Sequence, residues 1–282
     1  MTTTALVPIR TARRRRYLLC PPVHFAVEYS INPWMDPARP VDAAAALRQW
    51  ESLYRALRDL GHRVETIAPR PRLPDMVFTA NGAAVVDGRV LVARFRHPER
   101  APESLAHRAW FRTAGYRPAV AARPSEGQGD FLPVGDRILA GAGPRTSPAA
   151  HREAQRVLGR PVVGLRLTDP RYYHLDTALA VLSEDQIMYY PGAFSRESNR
   201  TLRALYPRAI LATAQDAAAL GLNAVSDGRH VLLPEAAHGL AARLHADGFR
   251  PVPLRLTELL KAGGGPKCCT LELHPAPQGG RP

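Results

Sequence analysis

Apolar and polar positions along the chain change period repeatedly, from the spacing of a helix to that of a strand and back. Over residues 41–60, the alanines at 43–46, Leu47, Trp50, Leu53, Leu57 and Leu60 recur at helical spacing, and Gly61 follows, so the pattern predicts an amphipathic helix. Residues 62–67 then read as a strand. Ahead of the helix, Tyr17-Leu18-Leu19-Cys20 reads as a first strand, ended by Pro21 and Pro22. Two hairpins are marked by Asp-Gly turns. In one, Asp87-Gly88 separates residues 83–86 from 90–92; in the other, Asp227-Gly228 separates 224–226 from 230–233. A third hairpin pairs 177–182 with 187–190 across Ser183-Glu184-Asp185, and residues 134–140 form a further short strand region. Helical spacing returns over 103–114, 149–158, 195–204 and 236–246, and strands follow over 162–167 and 251–254.

The chain therefore cycles through hairpin, helix and strand. This predicts an α/β fold of repeated ββαβ-type units in a single domain over residues 16–275, with a flexible basic arm over 1–15 and a tail over 276–282. Units of this kind can close radially, and loops at one end then meet at a central site.

Composition alters this picture at two points. Apolar residues at 45% and charged residues at 22% are ordinary for a globular chain, so disorder is not expected. Lys and Arg total 38 against 25 Asp and Glu, a formal charge of +13, which raises the question of an anionic partner. The basic residues are mostly scattered singly, however, and the one dense run is Arg13 to Arg16. No basic-aromatic, zinc-finger or helix-turn-helix motif accompanies them, which argues against nucleic acid. Three cysteines, Cys20, Cys268 and Cys269, are too few and odd in number for a disulfide framework, which fits a reducing, cytoplasmic compartment. No apolar run approaches the length of a membrane helix, so no membrane association is expected. Homo-oligomerisation is left open.

The chemistry gathers in four segments. In Gly263-Gly264-Gly265-Pro266-Lys267-Cys268, glycines lead into a cysteine, expected to sit exposed at a strand start, with a neighbouring ammonium to favour its thiolate. A loop followed by a buried structural cysteine is the plainer alternative. A cysteine nucleophile needs a proton-transfer partner. His174, in Tyr172-Tyr173-His174-Leu175-Asp176-Thr177, is the candidate, and on an extended segment Asp176 would face the same side and orient the imidazole. Glu126-Gly127-Gln128-Gly129-Asp130 places two acids on a glycine-rich loop, and Asp75 precedes the apolar run Met76-Val77-Phe78. Clustered carboxylates suit a planar cation such as a guanidinium. No histidine spacing implies a metal, and no cofactor is expected.

Taken together these segments resemble the guanidine-modifying, or pentein, superfamily. The markers run in the family's order: Pro74-Asp75-Met76-Val77-Phe78, Arg94, Glu126 to Asp130, Gly141-Ala142-Gly143-Pro144-Arg145-Thr146, His174-Leu175-Asp176-Thr177 and Gly264 to Cys268. The resemblance implies a five-bladed α/β propeller. It implies Cys268 as nucleophile, His174 as general acid and base, Glu126 and Asp75 as acids for the guanidinium, and Arg94 with Arg145 as a clamp for the substrate α-carboxylate. Two positions depart from the family pattern: Lys267 stands where relatives often have His, and Cys269 where they often have Met. Asn32 and Asn81, where several relatives carry an aspartate at the second position, are similar to arginine dihydrolases, which convert arginine to ornithine, ammonia and carbon dioxide. Alternatives are a dimethylarginine dimethylaminohydrolase, an arginine deiminase or an amidinotransferase, and more remotely a non-catalytic basic binding protein. A papain-like protease is disfavoured because the cysteine follows the histidine.

Overall fold

The computed structural model describes residues 9–274, which form five three-stranded sheets. Four of them are consecutive in sequence. The first contains β3 (Ala83–Val86), β4 (Arg89–Val92) and β5 (Ala119–Val120), and the second β6 (Phe131–Val134), β7 (Arg137–Ala142) and β8 (Val162–Arg166). Next come β9 (Leu179–Val181), β10 (Ile187–Tyr189) and β11 (Ile210–Leu211), then β12 (Val225–Ser226), β13 (His230–Pro234) and β14 (Arg250–Leu254). In each, the middle strand pairs antiparallel with the first and parallel with the third. A parallel neighbour needs a crossover, and each unit has one helix there: Glu103–Thr113, Pro148–Leu158, Arg196–Leu205 and His238–Ala246.

The fifth sheet joins the two ends of the chain. Strand β1 (Arg16–Leu19) runs parallel to β2 (Arg63–Thr66) through helix Ala43–Asp59, and antiparallel to β15 (Leu271–Glu272). It has the same pattern as the others, with its first strand supplied from the far end of the sequence.

Helix Ala43–Asp59 illustrates why the crossovers form. Asp42 caps it by accepting a bond from the Ala45 amide at 2.9 Å. Its apolar stripe of Ala46, Trp50, Leu53 and Leu57 is buried, packing with Leu19, Leu254 and Leu256.

Several expectations shift. The apolar run around Asp75 folds as two 3-10 turns, Pro74–Val77 and Thr79–Gly82. The strand region near 134–140 is a complete hairpin, β6 and β7, in which Gly135 adopts φ +55 at the turn. The short strands β5 and β11, two residues each, carry no periodicity to read. Residues 1–8 of the expected arm lie outside the described residues, as do 276–282 of the expected tail. Residues 9–15 lie against the body: Arg10 stacks on Phe249 at 4.0 Å and pairs with Asp247 at 2.7 Å, and the Arg13 amide donates to Asp227 at 2.8 Å.

Candidate active site

Each unit's third strand leads into the next unit's first strand, and these five connections carry a set of buried polar side chains. The β2–β3 connection supplies Asp75 and Asn81, β5–β6 supplies Glu126 and Asp130, and β8–β9 supplies His174 and Asp176. Asn223 comes from β11–β12 and Cys268 from β14–β15. All eight are at most 2% exposed. The connections from middle strand to helix add Asn32, Arg100 and Arg145.

Two hydrogen-bonded groups result, joined through the 174–177 turn. The first is centred on Glu126. Its Oε2 accepts from His174 Nε2 at 2.8 Å and from Arg145 at 2.9 Å, and its Oε1 from the Arg96 amide at 3.1 Å. The other imidazole nitrogen, Nδ1, lies 3.4 Å from Asn81 Nδ2, and Asn81 Oδ1 accepts from Arg100 at 2.9 Å. Arg100 in turn grips Glu103 with two bonds of 2.9 Å. Asp75 accepts from the Tyr29 hydroxyl at 3.0 Å through Oδ2, while its Oδ1 has no partner among the described residues. Close backbone approach makes this possible: a Cβ on Gly129 would lie 2.4 Å from Asn81 Nδ2 and 3.3 Å from the His174 ring.

The second group surrounds the Cys268 thiol. Asn223 Oδ1 accepts the amides of Gly265 and Cys268 at 2.9 and 3.0 Å, which fixes the amide so that Nδ2 donates to Cys268 Sγ at 3.0 Å. The thiol faces Asp176 Oδ2 at 3.4 Å. Asp176 Oδ1, like Asp75 Oδ1, is buried with no partner among the described residues. A buried, unpartnered carboxylate oxygen is unusual, and the N–H edge of a bound cation would satisfy it.

The two groups differ in charge compensation. Burial opposes the charge on Glu126, but Arg145 and His174 outweigh it and hold its carboxyl well below the usual range. Burial pushes Asp176 up to about 7 against weaker opposition from Lys267, Cys268 and Asn223. Burial, then the adjacent Asp176, pushes the Cys268 thiol well above its ordinary value. Among the described residues, no group of three His, Cys, Asp or Glu side chains is arranged to hold a metal.

A family model described as N,N dimethylarginine dimethylhydrolase, eukaryotic, matches residues 30–275. The chain belongs to this family. It is 56% identical over 266 residues to an N(G),N(G)-dimethylarginine dimethylaminohydrolase of Mycobacterium tuberculosis, covering 94% of this chain and 88% of that protein. It is 38% identical to the bifunctional arginine dihydrolase/ornithine cyclodeaminase AgrE of Nostoc, covering 92% of this chain but only 38% of that longer protein. Among solved structures, the product-bound N-terminal domain of the cyanobacterial arginine dihydrolase ArgZ superposes with a TM-score of 0.90 at 36% identity, covering 94% of this chain and 99% of that one.

Several members of the expected constellation of this dimethylarginine hydrolase relative stand elsewhere than the sequence implied. Asp176 meets the thiol instead of orienting His174, because Leu175–Thr177 is a 3-10 turn and not an extended segment. Glu126 binds His174 and Arg145, so both its oxygens are engaged by the protein. Arg94 and Arg145 are not paired: Arg94 is exposed and donates to the Ala122 carbonyl at 2.9 Å, whereas Arg145 is buried between Glu126 and the Ile31 carbonyl, 2.8 Å away. Asn32 ties the 30–35 segment to the glycine loop, donating to Ala262 at 3.1 Å and accepting from the Trp34 amide at 2.9 Å. Cys268 lies buried in a turn, and the Lys267 ammonium turns to Gln128 and the Thr270 carbonyl at 3.2 and 3.1 Å. The donor on the sulfur is instead Asn223, which sequence reasoning missed. Its signal was positional: Asn223 stands two residues before β12, as Asn81 stands two before β3.

Proposed function

We propose that this guanidino-group hydrolase takes arginine through two hydrolyses to ornithine, two ammonia and carbon dioxide, with Cys268 as nucleophile and His174 as proton carrier. The observation that carries this reading is the Asn81 amide. Its oxygen is occupied by Arg100, and its N–H edge faces His174 Nδ1. A guanidinium has only donors, whereas the ureido group of citrulline adds an oxygen that accepts. A donor at position 81 therefore suits retention of the neutral intermediate, and an aspartate would not.

In the proposed first cycle, the two unpartnered oxygens of Asp75 and Asp176 receive guanidinium N–H groups. The arriving positive charge compensates Asp176 and favours the thiolate, whose proton passes to His174 and whose sulfur also accepts from Asn223. The sulfur adds to the guanidine carbon, and a terminal nitrogen leaves as ammonia with a proton delivered by His174, forming an S-linked thiouronium. His174 then takes a proton from water, whose oxygen adds to the same carbon, and the C–S bond breaks to give citrulline. In the second cycle the sulfur adds to the ureido carbon, and the second ammonia leaves. Water cleaves the resulting thiocarbamate to a carbamate, which loses carbon dioxide. Arg145 and Arg94 serve the substrate α-carboxylate, the former by exchanging the neutral Ile31 carbonyl for it. Asn32 holds the covering segment. The five ββαβ units close as a five-bladed propeller, so that their equivalent connections converge in one catalytic domain over residues 16–275.

The 56% identity to a dimethylarginine dimethylaminohydrolase favours a second reading, a single hydrolysis of methylated arginine to citrulline. Proton NMR of products from arginine, monomethylarginine, dimethylarginine and citrulline separates the two. The two-step reading expects ornithine with two ammonia per arginine, and Asn81→Asp stopping largely at citrulline. Wild type that yields only citrulline, or acts only on methylated arginine, rejects it.

A further inference from the structure

A cavity of about 170 Å³ lies behind the nucleophile and takes no part in the scheme above. It has room for several waters or one small polyatomic ion. Strands β6, β9, β12 and β15, each the first of its unit, contribute its wall, and Gln128, Lys267 and Thr270 line the end that adjoins Cys268. Pairing in the fifth sheet sets Tyr17 beside Glu272 on one face, and Arg15, two residues before Tyr17, bonds Glu272 at 3.1 Å. Three donors on this lining are unused. Tyr17 is 1% exposed, yet its hydroxyl has no partner among the described residues, and Arg15 Nε is likewise buried and unpartnered. Among the described residues, the Lys267 ammonium bonds only to neutral acceptors, Gln128 Oε1 at 3.2 Å and the Thr270 carbonyl at 3.1 Å, which leaves one of its hydrogens free.

We propose that this cavity binds a small, singly charged oxyanion of the bicarbonate or carboxylate kind, held by Tyr17, Arg15 and Lys267. Charge decides the sign of the ligand. Of the lining cations, Arg160 is engaged by Asp87 through bonds of 2.6 and 2.7 Å. Of the lining acids, Glu184 pairs with Arg13. Arg15 and Lys267 then face Glu272 alone, which leaves one positive charge over. A monoanion cancels that charge, whereas a cation would add to it. The donors decide the kind of anion. Tyr17 lies on β1, Arg15 just ahead of it and Lys267 in the turn before Cys268, so they reach the space from separate elements, and an ion with several acceptor oxygens can meet them together. Burial works against the charge of Lys267, and a bound anion opposes that effect, so the ion and the ammonium stabilise one another. Burial raises Asp176 and Lys267 is the first charge to oppose it, so an occupant of the cavity borders the thiol half of the catalytic cluster from behind.

The site stands apart from the number of hydrolyses, and its test needs no substrate. The chain has two lysines, Lys261 and Lys267, so carbon-13 labelling of lysine gives two side-chain Cε signals, and Lys261→Arg assigns them. Lys261 bonds the Pro40 carbonyl and Glu258 and serves as the internal control. Ligand-free protein is titrated with sodium bicarbonate and, separately, with sodium acetate, at one pH and with sodium chloride holding the ionic strength constant. The Lys267 signal is expected to move saturably with at least one of the two anions while the Lys261 signal stays in place. Tighter binding of bicarbonate marks a carbonate-type ligand and tighter binding of acetate a carboxylate, and either order supports the site.

Tyr17→Phe removes a hydroxyl that has no partner among the described residues, so the fold loses no bond seen there. It is expected to weaken the anion about tenfold, the loss of one hydrogen bond to a charged group. Arg15→Lys keeps a charge for Glu272 but removes the Nε donor, adds a third and separate lysine signal, and is expected to weaken the anion as well; it decides the matter if Tyr17→Phe does not fold. A Lys267 signal that neither anion moves would show that the cavity holds water alone and would overturn the proposal. Saturable movement with the same affinity in wild type and in folded Tyr17→Phe or Arg15→Lys would place the anion elsewhere, in the substrate site for instance, and would overturn it too.

Discussion

The two halves of the buried cluster handle charge in opposite ways. Around Glu126 the carboxylates face fixed cations: Arg145 on Glu126, and Arg100 on Glu103 with Asp75 nearby. Around Cys268 the thiol faces an acid, Asp176, and the donor on sulfur is the neutral amide of Asn223. Glu126 is thereby held ionised, although burial raises Asp75 and takes Glu103 to about 7 even beside Arg100, whereas around Cys268 both Asp176 and the thiol are pushed towards their neutral forms. Of the acid half's carboxylate oxygens, only Asp75 Oδ1 lacks a partner among the described residues. The thiol half lacks one positive charge, which a guanidinium would bring.

The sharpest break in this comparison is at the thiol itself. Cys268→Ser is expected to abolish turnover, while Cys269→Ser keeps most of it. Cys269 packs in the core with Val77 and Leu259 and is remote from Asn223 in its bonding. An inactive Cys269→Ser beside an active Cys268→Ser, in steady-state assays, would transfer the role by one residue.

The next largest effect belongs to the acid half. Arg145→Ala is expected to raise KM tenfold to a hundredfold, since loss of a charge-assisted bond costs on the order of 1.5–3 kcal/mol. It should also lower Tm and kcat, because it leaves Glu126 buried without its cation. Arg94→Ala, at an exposed position, should raise KM less and leave Tm unchanged. Equal Tm and kcat in both variants would remove the compensating role assigned to Arg145.

The smallest expected effect is on stability. Asp176 has its folded pKa raised from an ordinary value of about 4 to about 7, so the folded state binds its proton more tightly than the unfolded state. Its charge therefore destabilises the fold progressively as pH rises from about 4 to about 7, and fully above that. Asp176→Asn is expected to raise Tm by several degrees at pH 8 and to make little difference at pH 4, while losing activity. A thermal-melt series with no pH-dependent gap between the two proteins would show that Asp176 is not buried as a costly charge.

Much of this arrangement was legible in the sequence. The Asp-Gly turns and the helical spacing around Trp50 and Leu53 mark hairpins and crossovers because each reports local geometry. The order of acid, histidine and cysteine segments named residues that the fold brings together. Their pairings were less legible. Asp176 is two residues from His174 and would share its face on a strand, but a single 3-10 turn redirects it to Cys268. Asn223 lies in Gly221-Leu222-Asn223-Ala224, with no flanking motif, and meets Cys268 only through a contact between segments 45 residues apart. Arg145 read as a free cation because its sequence neighbours are small and neutral, and its partner Glu126 is 19 residues away.

The claim that the thiol half awaits its cation is tested most directly by alkylation of ligand-free protein with iodoacetamide, an uncharged reagent, followed at Cys268 by mass spectrometry across pH. The account predicts a rate that is still rising at the alkaline end of the stable range, and a profile displaced to lower pH in Asp176→Asn. A rate that levels off near neutral pH in the wild-type protein, with no displacement in Asp176→Asn, would contradict it.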